Sequence, residues 1–263
     1  MEGYKGLKKW VDLDKGFRPN VSASKINLFR NNLAMFIMNY GYGKRSSGSQ
    51  QMTRGNLVEE AVKQILTKQM SSDDAIEKAQ EDFVQTFADS NPFLLLEPHH
   101  CKEYMNLSPM INLSCEALEP YGIPIFDEDN EQQKITYEIV DGDKKIEAVG
   151  YLDFVFPNGK IVDLKTTNAM QSKMSAQHQL QRAIYKMARS NYSVEFLYVT
   201  NKKKAFYEHG NENDIIESAK IVINQMDNFC NRMTPNQARK CIPILDDYYW
   251  SGETKLKQFY NKE

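Results

Sequence analysis

The chain contains little proline and glycine. Its 263 residues include 9 Pro and 13 Gly, too few for a collagen-like repeat or a Pro- and Gly-rich disordered chain. Apolar residues make up 41% and charged residues 26%, a balance typical of folded, water-soluble proteins. A chain of this length can bury a sizeable core, and it is compatible with one elaborated α/β domain or with two smaller domains.

Long apolar stretches are also missing. The longest uninterrupted apolar run is Leu33–Met38, far shorter than the roughly 20 residues that cross a bilayer. The first thirty residues mix Lys, Gly and Asp and lack the apolar centre of a signal peptide. We therefore expect no membrane-spanning helix, no membrane partner and a cytoplasmic location.

Cysteine and histidine are few and scattered. The cysteines are Cys101, Cys115, Cys230 and Cys241. The histidines are His99, His100, His178 and His209. No Cys-x-x-Cys pair is present. We therefore expect free thiols and neither a zinc nor an iron–sulfur site.

Charge is unevenly distributed along the chain although the net charge is only −2. Residues 1–54 carry ten Lys or Arg against three Asp or Glu, and residues 160–206 carry nine against two. Residues 116–148 carry three against ten. Because the field in a groove depends on local charge, this pattern is compatible with a polyanion-binding surface. Solvated faces that cluster by chance would give the same pattern.

The spacing of apolar residues predicts a mostly helical segment over 21–118, preceded by an N-terminal surface arm over 1–20. The first helix contains Ile26, Phe29, Leu33, Phe36 and Ile37 and ends in a Gly- and Ser-rich stretch over 41–49. Three helix starts are predicted: near Ser22 or Ser24, after Thr53, and at Ser71 or Ser72.

After Gln132 the periodicity changes from helical to alternating. Asp141-Gly142 and Asn158-Gly159 are turn signals between short strands, so a three-stranded antiparallel meander is predicted. The elements that follow are a helix over 170–190, strands over 194–200 and 205–207, a helix over 214–232 and an extension over 233–263, with a final helix near Tyr248, Tyr249 and Trp250. The predicted fold is α/β, with a mixed central sheet over 132–232 flanked by helices.

Two carboxylates interrupt apolar strands. Asp153 lies within the run 149–156 and Asp163 within the run 161–164. A buried carboxylate is costly unless it is paired or metal-bound, so two on neighbouring strands suggest a shared cation. Lys165 shares a strand face with Asp163, because side chains alternate along a strand. A structural ion pair of Lys165 with either carboxylate is the alternative interpretation.

The helix after these strands carries two adjacent stripes. Gln177, Gln181 and Tyr185 recur every four residues on the polar stripe. The neighbouring stripe is apolar and consists of Leu180, Ala183, Ile184 and Met187. Glutamine and tyrosine can hydrogen-bond a phosphate or a base without adding charge.

These residues resemble the motifs of the PD-(D/E)XK nucleases, and in particular those of the RecB-like branch that includes phage exonucleases. The matching segments are Gly150-Tyr151-Leu152-Asp153, Asp163-Leu164-Lys165-Thr166-Thr167 and Gln181-Arg182-Ala183-Ile184-Tyr185. Two upstream segments are similar to the same branch: Ser22-Ala23-Ser24-Lys25-Ile26-Asn27 and Arg54-Gly55-Asn56-Leu57-Val58-Glu59. The resemblance spans residues 21–207 and implies a restriction-endonuclease-like fold.

The resemblance implies a set of site residues. Mg²⁺ or Mn²⁺ would be held by the side chains of Asp153, Asp163 and Glu59 and by the backbone carbonyl of Leu164, while Lys165 would orient the attacking water. The DNA-binding residues would be Gln181, Tyr185, Gln177, Lys173, Arg182 and Arg54, with Lys186 and 202–204 as further phosphate contacts. Many relatives have His in place of Glu59, so an exposed Glu59–Lys63 helix pair is an alternative at that position.

The resemblance also implies an activity. We expect one nuclease domain over 1–263 that is a metal-dependent DNA exonuclease acting from DNA ends in phage-type recombination, repair or replication. The implied partners are DNA, a single-strand annealing or single-strand-binding protein, and a second copy of the chain. A structure-specific or nicking endonuclease of the same fold is the closest alternative. A catalytically silent DNA-binding or assembly module is another.

Overall fold

The computed structural model describes residues 4–11, 19–45, 48–89, 91–127, 131–208, 211–244, 250 and 253–261. The N-terminal helices are α1 (Lys5–Val11), α2 (Ala23–Asn31), α3 (Leu33–Phe36), α4 (Gln50–Leu66), α5 (Ser72–Phe87), α6 (Lys102–Met105) and α7 (Leu107–Leu118). A π-helix (Ile37–Gly41) follows α3, and short 3₁₀ turns occupy Pro92–Leu95, Pro98–His100 and Glu119–Tyr121. The mostly helical character predicted for 21–118 is confirmed.

Polar caps set where these helices begin. Ser22 accepts a hydrogen bond from the backbone N–H of Lys25, so α2 begins where the sequence predicted. Asn32 caps α3 in the same way and divides the single predicted helix into two. The second predicted helix is α4, which begins at Gln50 because Ser49 caps it, rather than after Thr53.

The strands are β1 (Gln133–Asp141), β2 (Lys144–Leu152), β3 (Phe154–Phe156), β4 (Lys160–Thr166), β5 (Ser193–Val199) and β6 (Lys204–Tyr207). The predicted turns are present, with Gly142 at φ 58° and Gly159 at φ 79°, a backbone region that glycine adopts without strain. The remaining helices are α8 (Ala176–Ala188), α9 (Glu212–Arg232), α10 (Pro235–Cys241) and α11 (Thr254–Asn261). Ser175 caps α8, which therefore begins six residues later than predicted.

The predicted meander is divided between two sheets. β1 and β2 form an antiparallel hairpin of their own, and a bend at Asp153 separates β2 from β3. The second sheet has the order β3-β4-β5-β6, in which β4 and β5 are parallel and the outer pairs are antiparallel. Helix α8 connects the two parallel strands. The predicted mixed sheet flanked by helices is therefore confirmed.

Alternate residues of the sheet contribute to two hydrophobic clusters. Ile161 of β4 joins a cluster with α1, α2, α8 and α9, whereas Val162 and Leu164 join a cluster with α4, α5 and α7. The strand pleat therefore places Asp163 and Lys165 on the same face as Ile161, toward α8.

The chain before α2 is not a surface arm where the structure describes it. Helix α1 packs against α9, with Leu7 and Trp10 buried. The backbone N–H of Leu7 donates to Asp227 at 2.9 Å, and the Trp10 indole donates to the carbonyl of Met233 at 2.8 Å. Two apolar residues one helical turn apart are sufficient to pack this helix on the core. The apolar periodicity of the segment was too weak to predict that packing.

The C-terminal extension joins the same core in part. Trp250 is buried, and the final helix is α11, which begins at Thr254. Tyr248 and Tyr249 lie outside the described residues. The four cysteines are free thiols, as predicted. Across the described ranges, every helix is too short or too polar to cross a membrane.

Candidate active site

The two strand carboxylates lie together at the junction of the hairpin and the mixed sheet. Asp153 occupies the bend between β2 and β3, and its Oδ2 accepts a hydrogen bond from the backbone N–H of Leu164 at 2.9 Å. Asp163 is fully buried on β4, and Asp153 is 7% exposed. The antiparallel pairing of β3 with β4 thus brings both carboxylates to one site.

Asp163 is contacted from its own strand and from α8. The ammonium of Lys165 lies against Oδ1, while the side-chain amide of Gln181 donates to Oδ2 at 2.8 Å. Within the described chain, Asp163 Oδ1 is buried and accepts no hydrogen bond of regular geometry. In this structure one oxygen of the carboxylate thus faces the Lys165 ammonium and the other accepts from the Gln181 amide.

A glutamine that the sequence analysis missed brings Glu59 into the site. The side-chain amide of Gln132 donates both to Glu59 Oε1, at 2.5 Å, and to Asp153 Oδ1, at 3.0 Å. Glu59 lies on α4, and Gln132 directly precedes β1. The pairing of Glu59 with Lys63 is replaced by this contact, and Lys63 instead pairs with Glu60. Nothing in the local sequence distinguishes Gln132 from an ordinary polar residue before a strand.

The burial of three carboxyls beside one ammonium shifts the pKa values of all four groups. Burial raises the pKa of Asp153 well above its ordinary value, and it also raises the pKa of Glu59 and of Asp163, although Lys165 opposes both of these shifts. Burial alone would lower the pKa of Lys165, but the three carboxyls outweigh it and raise that pKa. Burial therefore disfavours the charged forms of these carboxyls, and a bound cation would favour them.

Helix α8 holds this arrangement against β2. The Tyr185 hydroxyl donates to the backbone carbonyl of Tyr151 and accepts from the Gln181 amide at 2.6 Å. Gly150 makes this approach possible, because a Cβ atom there would lie 2.5 Å from Cε1 of Tyr185. Gly150, Gln181 and Tyr185, which the sequence analysis identified on separate segments, thus form one contact.

Two arginines that were predicted to bind DNA form ion pairs inside the protein. Arg54 is 1% exposed and forms an ion pair with Glu103. Arg182 is 7% exposed, pairs with Glu212 and donates to the carbonyl of Val194 at 2.8 Å. In this structure both guanidiniums therefore face acidic partners inside the protein rather than the cleft.

The other predicted DNA contacts divide into exposed and engaged residues. Lys173 is exposed in the loop between β4 and α8, as are Lys202 and Lys203 in the turn before β6. Gln177 is partly buried on α8. Lys186 donates to the carbonyls of Ser190 and Tyr192, and Lys204 pairs with Glu116 at 2.9 Å.

A cleft of about 590 Å³ opens beside Asp153 and Gln132. Gln181 and Tyr185 of α8 and Gly150 and Tyr151 of β2 line it, together with Ser22, Ser24 and Lys25 of the α2 segment and Tyr40 and Arg45 of the following segment. Residues far apart in the chain thus meet around one concave surface, a common arrangement for binding sites. In the described chain, α1 contributes nothing to this lining.

The side chains have the composition of a divalent-cation site, although they are not arranged around an ion. Carboxylate oxygens are the ligands that Mg²⁺ and Mn²⁺ prefer, and Glu59, Asp153 and Asp163 supply three carboxyls here. As they stand, the described His, Cys, Asp and Glu side chains form no group of three with ligand geometry. The physical reason is that the Gln132 amide lies between Glu59 and Asp153 and the Lys165 ammonium lies on Asp163.

A family model and solved structures match this chain. A family model described as the PD-(D/E)XK nuclease superfamily matches residues 20–239. A crystal structure from Eubacterium rectale with a provisional exonuclease assignment is 12% identical, with a TM-score of 0.45, over 90% of this chain and 93% of that one. The crystal structure of SSO0001 is 16% identical, with a TM-score of 0.34, over 76% and 82%. No curated protein matches the chain.

Proposed function

The chain belongs to the PD-(D/E)XK nuclease superfamily, and we propose that it is a metal-dependent DNA exonuclease of the RecB-like branch. In this proposal residues 1–263 form one nuclease domain, and the enzyme hydrolyses phosphodiester bonds from DNA ends in phage-type recombination, repair or replication. The observation that carries the proposal is the convergence of Glu59, Asp153, Asp163 and Lys165 beside a cleft.

A divalent cation would be held by Asp153, Asp163 and Glu59, with the carbonyl of Leu164 as a further oxygen ligand. Nucleases of this superfamily generally use such ions. When bound, Mg²⁺ or Mn²⁺ activates water and neutralises phosphate charge. The clustering of three carboxyls around the Lys165 ammonium supports this assignment.

Lys165 supplies the fixed positive charge of the proposed mechanism. The neighbouring carboxylates raise its pKa, so it remains protonated at neutral pH and can stabilise charge that develops on the phosphate. Its ammonium can also donate a hydrogen bond that orients the attacking water. Gln181 positions Asp163 through the 2.8 Å amide contact, and Tyr185 holds the backbone next to Asp153.

The preference for DNA ends is supported by the position of the N-terminal residues. Ser22, Ser24, Tyr40 and Arg45 line the cleft beside Asp153. Helical elements before the sheet therefore narrow the approach to the candidate active site, which favours entry of a free end over a continuous duplex. A single-strand annealing or single-strand-binding protein, self-association and a cytoplasmic, phage- or bacterium-encoded setting complete the proposal.

The test compares linear DNA with covalently closed circular DNA of the same sequence. With Mg²⁺ the wild type is expected to degrade the linear form to small products and to spare the circle, and EDTA is expected to stop the reaction. Asp163→Asn removes the charge at nearly constant volume and is expected to lower the rate by at least about 100-fold. The matched control is Asp143→Asn, the same change in the exposed hairpin turn, which should retain wild-type activity.

Each alternative has its own outcome. Nicking of the circle by the wild type, absent in Asp163→Asn, would replace the exonuclease by the endonuclease of the same fold. Metal-independent cleavage, or equal rates in Asp163→Asn and Asp143→Asn, would remove the proposed site. DNA binding without any cleavage in Mg²⁺ or Mn²⁺ would favour the silent binding module.

A further inference from the structure

Tyr151 is an exposed aromatic residue beside the candidate catalytic carboxylates. It is 50% exposed, lines the cleft and precedes Asp153 by two residues. Within the described chain, its ring has no aromatic partner and its hydroxyl no hydrogen bond. Its neighbours in β2, Gly150 and Leu152, face the core instead, because strand side chains alternate. The fold therefore presents this ring to the cleft without using it for packing.

The backbone of Tyr151 is held in place despite the exposure of its side chain. Its carbonyl accepts the hydroxyl proton of Tyr185, which is itself 3% exposed. Gly150 allows the Tyr185 ring to approach this closely. The same tyrosine contacts Gln181, the partner of Asp163. The backbone that carries the Tyr151 ring thus has a defined position relative to the proposed catalytic group.

Other parts of the cleft lining combine aromatic and cationic side chains. The Tyr40 ring lies 4.8 Å from the Arg45 guanidinium and 4.9 Å from the Lys25 ammonium. Serine and asparagine donors and acceptors from 20–24 complete this part of the lining. Lys25 is 3% exposed and donates to the carbonyl of Asn20, so the exposed Arg45 is the cation that can reach a phosphate here. Proteins bind single-stranded DNA by stacking aromatic rings on bases while cations contact phosphates.

The size of the cleft limits which DNA structures can enter it. At about 590 Å³ it lies within the range of sites that enclose small molecules, which suits one or two nucleotides but not a duplex. Inside a cleft of this size, a tyrosine ring can reach the face of a base that has left the duplex stack. We propose that the cleft binds unpaired nucleotides at a DNA end and that Tyr151 stacks on the base next to the phosphate that is hydrolysed. This substrate assignment rests on the proposed function.

Binding measurements without metal separate this inference from catalysis. Fluorescence anisotropy of a labelled oligothymidylate and of a blunt hairpin duplex would be recorded in EDTA with the full chain. Tyr151→Ala is expected to weaken binding of the single strand by about 5- to 100-fold, the range that one stacked base supplies, and to change duplex binding by less than about 2-fold. Tyr151→Phe keeps the ring and should bind like the wild type.

Two controls exclude a general or structural effect. Phe93→Ala removes another half-exposed aromatic, which does not line the cleft, and should leave binding unchanged. An oligonucleotide with abasic sites keeps the phosphates but lacks the bases. The wild type should prefer oligothymidylate to the abasic strand, and Tyr151→Ala should lose that preference.

The proposal is overturned if Tyr151→Ala binds oligothymidylate as tightly as the wild type. It is equally overturned if that variant loses affinity for both DNA structures alike, or if the wild type binds the abasic strand as tightly as oligothymidylate. The proposed nuclease activity is judged separately by the cleavage rates of Asp163→Asn and Asp143→Asn. A failure of the stacking proposal therefore leaves the proposed function intact.

Discussion

At the residue scale, Gly150 is a position where a single methyl group should disturb the site. A Cβ atom there would lie 2.5 Å from Tyr185, whose ring is buried and whose hydroxyl bonds to Tyr151. Gly150→Ala is therefore expected to displace Tyr185 and lower the rate of DNA cleavage by about 100-fold, the effect of a misplacement of about 1 Å. Steady-state cleavage of linear DNA measures this loss.

A double-mutant cycle tests the cause of the Gly150 effect. If Gly150→Ala acts by displacing Tyr185, it should cost much less activity in a Tyr185→Ala background than in the wild type. Equal losses in both backgrounds would show that Gly150 matters for another reason.

A second prediction at the residue scale concerns the effect of pH on stability. Burial, together with the charge of Lys165, lowers the pKa of His178 from 6.5 to about 4, and its Nδ1 contacts the Tyr198 hydroxyl. Between these values the unfolded chain binds more protons than the folded chain, so the free energy of unfolding falls as the pH falls. Between about pH 7 and about pH 4.5, the free energy of unfolding of His178→Asn should therefore fall by about 2 kcal/mol less than that of the wild type.

Urea unfolding of both proteins at each pH gives the required comparison. The buried carboxyls titrate in both proteins, so their contribution cancels in the difference. An equal loss of stability in wild type and His178→Asn would show that His178 titrates normally.

At the element scale, a buried ion pair connects α4 and α6 to the end of β4. Arg54 pairs with Glu103 and donates to Asn168 at 2.9 Å and to Thr166 at 3.3 Å. Glu103→Leu leaves the guanidinium without its charge partner and should lower the free energy of unfolding by about 3–5 kcal/mol. Chemical denaturation measures the change.

Removing both charges is the matched control for the ion pair. Arg54→Met combined with Glu103→Leu should recover most of the stability lost by Glu103→Leu alone, because no unpaired buried charge remains. A double variant less stable than the single one would mean that Arg54 stabilises mainly through Thr166 and Asn168.

At the scale of the whole molecule, the structure changes the expected dependence of DNA binding on salt. A groove lined by all the basic residues of 1–54 and 160–206 would give a steep dependence, but Arg54, Arg182, Lys186 and Lys204 are engaged within the protein. The exposed candidates for phosphate contact are Arg45, Lys173, Lys202 and Lys203. Four phosphate contacts on a single strand give a slope of log affinity against log salt of about −2.8.

Anisotropy titrations of oligothymidylate at several salt concentrations measure this slope. A slope steeper than about −5 would require basic residues beyond these four. A slope near zero would show that the uneven charge distribution is unrelated to DNA.

The sequence by itself determined the features that depend on neighbours in the chain. Ser22 and Ser71 cap helices, and Asp141-Gly142 forms the hairpin turn, because capping and turn geometry require only nearby atoms. Asp153 and Asp163 were recognisable because a carboxylate in an apolar strand is costly without a partner. The order of the strands and of α8 and α9 followed from the same local periodicity, whereas α1 did not.

Only the tertiary structure decided which distant groups meet. Gln132 lies 73 positions from Glu59, and Arg54 lies 49 positions from Glu103, yet these contacts determine which side chains join the site and which are internal. The amphipathic pattern could not show that Arg54, which was predicted to contact DNA, forms a buried ion pair. Nor could it show that the Tyr185 hydroxyl holds the backbone of Tyr151. The free energy of a buried polar group depends on the partner that the fold supplies, and the local sequence does not contain that partner.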